Sequence, residues 1–268
     1  MSSATERVPE PDAVKRHPMW DPDRTYFFLH VMKTGGTSML RHIIDNFPLG
    51  RVEPDVRVKL ARGEGGAPAG APTYPSMERI RSLDDERRRE IRVYAGHYPF
   101  MVTELVPTDV TMTVLRDPVE RTVSFLRHCK RYDPTKRPLS LEQIYDGPYD
   151  FPLLIRNYQT KLFAMRLTDE APDRAHLADI EIDAERLEAA KANLATVDVI
   201  GLQHRFGEFL RQLEHRYGWT FGAEHQQRVA TEDWPVSASL RQRIVDDNQV
   251  DLEFLGFAEE LHGRRAVP

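Results

Sequence analysis

An α/β fold, with a central parallel β-sheet covered by helices on both faces, is the architecture this chain predicts, and three observations carry it. Short apolar and β-branched runs alternate with segments of helical periodicity along most of the 268 residues. The first run passes directly into a helix through a glycine loop, in "YFFLHVMKTGGTSMLRHIIDNF" from Tyr26 to Phe47. Strands separated by helices imply right-handed crossovers, and crossovers of that kind build parallel sheets buried on both sides.

The elements follow in order. Residues 1–23, rich in proline and charge, are expected to form a loose tail ahead of a single domain over 24–263. Tyr26 to Val31 is the first strand, and a helix begins near Thr37 or Ser38. Arg62 to Pro75, "RGEGGAPAGAPTYP", has too much glycine, alanine and proline for helix or strand and reads as a mobile loop, either inert or a lid. "SMERIRSLDDERRRE" is a charged helix whose "DDERRRE" is most simply a solvated face. A second strand starts at Ile91 and closes at Gly96 and His97. A third spans Asp109 to Asp117, stopped by Pro118, and the helix after it puts Val119, Val123 and Leu126 on one face. Asp183 caps a further helix, Val197 to Gly201 is a strand, another helix ends near Tyr217, and "SASLRQRIVDDNQVDLEFLGFAEEL" closes the domain with helices.

Composition narrows the function. A chain 40% hydrophobic and 29% charged buries a sizeable core, and a net charge of −5 with a pI near 6.1 gives no global attraction to nucleic acid or an anionic membrane surface. Any local cationic site is therefore a device. The lone cysteine, Cys129, excludes an intramolecular disulfide and reads as a small apolar side chain. No apolar segment of signal-peptide length opens the sequence, and no run approaches the roughly 20 residues of a spanning helix. A cytoplasmic protein is the expectation.

In a parallel sheet ligands bind outside the carboxyl ends of the strands, and three marked sequences fall there. The first is Lys33, Thr34, Gly35, Gly36, Thr37 and Ser38. Glycines let backbone N–H groups approach a ligand, and a helix start offers unsatisfied amides and a positive dipole end, which suits a phosphate or sulfate. The nucleotide-triphosphate loop sets its lysine directly after the last glycine; here Lys33 precedes both, so the lysine can reach the far side of an anion that the amides hold from the near side. The second is His97. The third is "LRDPVERTVSFL", in which Arg116 ends a strand and Ser124 lies about two turns into the next helix. That guanidinium can grip a phosphate bidentately, or pair with Asp117 or Glu120.

These segments together resemble the carbohydrate sulfotransferase superfamily, particularly its heparan-type branch and bacterial relatives. "HVMKTGGTS", "GHYPF" and "LRDPVERTVSFL" carry the likeness, and "RNYQTKL", "VIGLQHRFGEFLRQLEHRYGW" and "NQVDLEFLGFAEEL" extend it from Tyr26 to Leu261. The resemblance implies a P-loop-like three-layer fold and the donor 3′-phosphoadenosine 5′-phosphosulfate (PAPS). It implies that Lys33 to Ser38 hold the 5′-phosphosulfate, that Arg116 and Ser124 hold the 3′-phosphate, and that Arg228 belongs to a loop closing over the donor. No metal is expected. Sulfuryl transfer needs stabilisation of charge on the leaving phosphate, for which Lys33 is placed, and a base for the acceptor's proton. His97 is the expected base, with Glu104 in reserve. Asn157 and Gln159 match a polar pair of the family and are assigned no chemistry. The acceptor is expected to be a hydroxyl or amine of a carbohydrate, glycolipid or small metabolite. Two other readings compete: a kinase or hydrolase with Asp117 on Mg²⁺, against which the order of Lys33 and Gly36 argues, and a nucleotide-binding relative without turnover.

Overall fold

The computed structural model describes residues 18–54, 76–147, 151–169, 173–222 and 234–265. Both the Arg62 to Pro75 loop and Arg228 lie outside the described residues. Five strands form one sheet: β1 (Tyr26–Leu29), β2 (Val52–Glu53), β3 (Val93–Gly96), β4 (Val110–Leu115) and β5 (Val199–Leu202). Their order is β2-β3-β1-β4-β5 and every pair is parallel. β1 is the hub, since β3 and β4 flank it. The chain leaves β3 on one side and reappears as β4 on the other, so the loops after β1, β3 and β4 meet at one point on the carboxyl edge.

A strand buried on both faces must be apolar throughout, and "YFFL" is. Alternate residues then supply different cores. Phe27 and Leu29 face the larger core, with Tyr94, Leu115 and Leu202. Tyr26 and Phe28 face the other, with Ala95, Met112 and Val199. That second core is closed by α1 (Gly36–Asn46) through Met39, Leu40 and Ile43, and by the helix Phe206–Tyr217 through Phe209 and Leu213. An aromatic knot seals its lower end, where the Tyr26 ring lies 5.5 Å from Phe47, 5.9 Å from Tyr217 and 5.2 Å from Trp219, each edge to face.

The remaining helices, all but Asp85–Glu90, bury residues in the larger core. In chain order they are α2 (Met77–Ser82), α3 (Asp85–Glu90), α4 (Pro118–Tyr132), α5 (Leu141–Tyr145), α6 (Phe151–Ile155), α7 (Tyr158–Ala164) and α8 (Ala184–Thr196). After α9 (Phe206–Tyr217) come α10 (Ala238–Asp247) and α11 (Gln249–Arg265). Three layers result, as the sequence predicts. No helix among the described residues is long and apolar enough to cross a membrane.

Some local readings change. The charged helix is two short ones, broken because Ser76 and Asp84 each cap their own start, the side chains accepting from Arg79 N–H and Arg87 N–H. Its arginines are not merely solvated: Arg79 pairs with the buried Glu53 of edge strand β2, and Arg87 donates to Gly50 O at 2.6 Å. Two-residue β2 itself went unread, being too short to show any periodicity. The second strand, Val93–Gly96, starts two residues later than expected and ends at Gly96 as expected, while the last, Val199–Leu202, is shifted a residue or two toward its carboxyl end.

Candidate active site

Backbone geometry shapes the loop after β1. Lys33 has φ 68° and Gly35 φ 100°, both left-handed, so the chain turns sharply before α1 starts at Gly36. Thr34 is buried and ties the turn down, its Oγ1 donating to Val31 O at 2.9 Å. Gly35 stands at the helix N-cap and offers no side chain there, so α1 starts without a side-chain cap. Ser38 N–H donates to Gly35 O at 3.0 Å, which commits that amide to the helix and leaves those before it for a ligand. Thr37 is exposed and Ser38 half-buried.

Gly36 is needed for space. A Cβ there would lie 1.6 Å from His30 Nε2, because the buried His30 ring lies beneath the loop. His30 also stacks 5.6 Å from Phe28 and sits 4.3 Å from the ring of His97. Register explains the pairing: Leu29 is level with Gly96, so the next residues on β1 and β3 are His30 and His97. His97 Nδ1 is 2.6 Å from His30 O, and a carbonyl only accepts, so Nδ1 carries the hydrogen. The neutral ring's lone pair is then on Nε2. His176, also buried, lies 5.5 Å beyond His97, making a row of three imidazoles. Glu104, by contrast, is exposed on a single turn of 3₁₀-helix over Phe100–Glu104.

Arg116 comes from the end of β4 and reaches the same loop, its Nη1 donating to Lys33 O at 3.1 Å. Its Nε is buried and has no hydrogen-bond partner among the described residues. Neither Asp117 nor Glu120 satisfies it: Asp117 caps α4 by accepting from Glu120 N–H at 2.9 Å, while the Glu120 carboxylate pairs with Arg241 at 2.8 Å. Ser124 is half-buried two turns along α4. Lys33 is pushed down to about 8, first by burial and then by the positive charge of Arg116, with Cys129 acting the other way and Arg131 adding the least. Burial likewise lowers Arg116, against the opposing pull of Glu120 and Asp117. Two cations thus share a partly dry corner in an acidic protein, and one of them keeps a buried donor in reserve. Such a corner fits a multiply charged anion.

Sequence reading brought Lys33 to Ser38, His97 and Arg116 to one place without seeing what joins them. His30 was missed, and Gln159 was named with Asn157 but assigned no chemistry. A signal for the first existed, since "FLH" and "AGH" each end a strand in histidine and neighbouring parallel strands align such ends. For Gln159 the resemblance marked the residue but not its bond to the backbone of Arg116, because that partner lies 43 residues away.

The parallel sheet with helices on both faces defines an α/β protein consistent with the P-loop-like class, and its site gathers Lys33, His97 and Arg116 at the carboxyl edge. Over 293 aligned residues the chain is 26% identical to heparan-sulfate 6-O-sulfotransferase 2 of Danio rerio, covering 91% of this chain and 59% of that protein. This distant homology supports the sulfotransferase superfamily and its heparan-type branch. The chain therefore spans somewhat over half the length of the curated relative it matches, and no family model matches it.

Proposed function

We propose that the chain is a PAPS-dependent sulfotransferase acting on a hydroxyl or amine of a carbohydrate, glycolipid or small metabolite. The relative's name specifies a heparan-sulfate 6-O position, and a carbohydrate hydroxyl is the acceptor class we carry over from it. One observation supports the reading most: Arg116 and Lys33, from different strand ends, meet in one cationic corner while a buried guanidinium N–H stays open.

The donor supplies a sulfuryl group on a phosphate leaving group. Lys33 and the amides of Gly35 and Gly36 would bind its phosphosulfate end, Arg116 and Ser124 its 3′-phosphate. Lys33, still mainly protonated at pH 7 when its value is about 8, would neutralise charge on the departing phosphate. His97, with Nδ1–H held by His30 O, would take the acceptor's proton on Nε2. Asp117 is spent on capping α4, which weighs against the rival role on Mg²⁺.

The test is thermal stabilisation by adenosine 3′,5′-bisphosphate without metal, compared with ATP plus Mg²⁺. At a hundredfold excess over Kd, linkage gives about 2.7 kcal/mol, or about 5–10 °C in a domain of this size. A response to ATP with Mg²⁺ alone would replace this reading with the kinase one.

A further inference from the structure

Gln159 sits in the first turn of α7 with no exposure to solvent. Its amide meets the main chain of Arg116: Oε1 accepts from Arg116 N–H at 3.0 Å and Nε2 donates to Arg116 O at 2.8 Å. Since N–H donates and C=O accepts, the pairing also settles which end of the amide is oxygen. β4 ends at Leu115, the last residue in ladder with β5. One residue further, where the ladder has stopped, a side chain imitates a strand partner and satisfies both backbone groups.

Gln159 is itself held from behind. Its N–H donates to Asp251 Oδ2 at 3.1 Å, while Thr160 N–H and Oγ1 both donate to Asp251 Oδ1 at 2.7 Å. A fully buried carboxylate on α11 thereby caps α7. Asn157, left-handed at φ 45°, completes the lock, with its N–H on Asn248 Oδ1 at 3.0 Å and its Oδ1 accepting from Asp251 N–H at 3.1 Å. The buried Arg121 donates to Leu154 O at 2.9 Å and Ile155 O at 3.1 Å; burial pushes the Asp251 carboxyl up, and the charge of Arg121 opposes that rise.

We propose that Gln159 is a positioning residue for Arg116, setting the backbone from which the guanidinium reaches Lys33 O and presents its buried Nε to a nucleotide's 3′-phosphate. The proposal rests on the reading of Arg116 as the ligand of that phosphate. An arginine launched from a loose backbone must be ordered at the moment of binding, and that entropy is taken from its grip. Gln159 therefore governs selectivity for 3′-phosphorylated nucleotides while touching no ligand.

Calorimetric titration with adenosine 3′,5′-bisphosphate and with adenosine 5′-monophosphate gives a preference ratio that separates the possibilities. The parent should prefer the bisphosphate, and Gln159→Met should reduce the preference at least about tenfold with little change in affinity for the monophosphate. Thr160→Val, which loses a bond to the same aspartate but makes none to Arg116, should melt earlier and keep the parent's ratio. Should Gln159→Met not melt cooperatively, Gln159→Glu decides, because it keeps the acceptor for Arg116 N–H and sets oxygen against oxygen at Arg116 O. A parent ratio retained by a folded Gln159 variant overturns the positioning role. A parent without any preference removes instead the assignment of Arg116.

Discussion

Lys33 is a residue whose usefulness to a ligand is a burden to the empty protein. Its folded value near 8 lies below the 10.5 of the unfolded chain, so between these values the unfolded state binds more protons. Stability of the ligand-free protein should rise as pH climbs from about 8 to 10.5, and below 8 the charged lysine destabilises in full. Lys33→Met should thus raise the melting temperature at pH 7 and weaken bisphosphate binding about 10–100-fold, the range for a charged hydrogen-bonding group. Affinity of the parent should itself decline above pH 8, as the ammonium is lost. A variant that melts lower and binds equally well would refute the account. For His97 the expectation is reversed: with Nδ1 held by His30 O, His97→Ala should keep bisphosphate affinity but lose about 10²–10⁴ in turnover, read with an acceptor panel of sugars and phenols. Undiminished transfer would move the base elsewhere, Glu104 being the next to test.

Between elements, the β1 loop and the end of β3 behave as one piece, because His30 fills the space above which Gly36 turns. Gly36→Ala puts a methyl 1.6 Å from His30 Nε2, too close for any side-chain adjustment that keeps the His97 contact. Bisphosphate affinity should collapse in Gly36→Ala and partly return in the double variant with His30→Ala, which removes the obstructing ring. The coupling should reach about 0.5–3 kcal/mol, as for residues in contact, and strict additivity would show that the two do not interact. Here sequence was informative about each element and silent about the joint. The lysine and glycine pair announces an anion loop, whereas the ring beneath it is visible only after β1 and β3 are set in register.

At the scale of the molecule, the sheet separates two cores, and Trp219 anchors the smaller one against Tyr26 and Phe47. With 1% exposure, its removal in Trp219→Ala should cost about 3–5 kcal/mol and lower the melting temperature by about 6–20 °C. Because that knot lies at the amino end of β1, nucleotide selectivity should survive at temperatures where the variant is folded. A changed preference for the bisphosphate would mean that the two ends of the sheet are coupled.

Periodicity, glycine placement and strand-ending residues follow from short-range sterics and burial, so the sequence alone determined the layered α/β fold and the candidacy of Lys33 to Ser38, His97 and Arg116. Tertiary structure alone decided that His30 orients His97, that Gly36 is obligatory because of that ring, and that Gln159 and Asp251 hold Arg116 from behind. Each of these joins residues far apart in the chain, where a polar group's partner is chosen by whatever the fold brings within 3 Å and leaves no periodic trace.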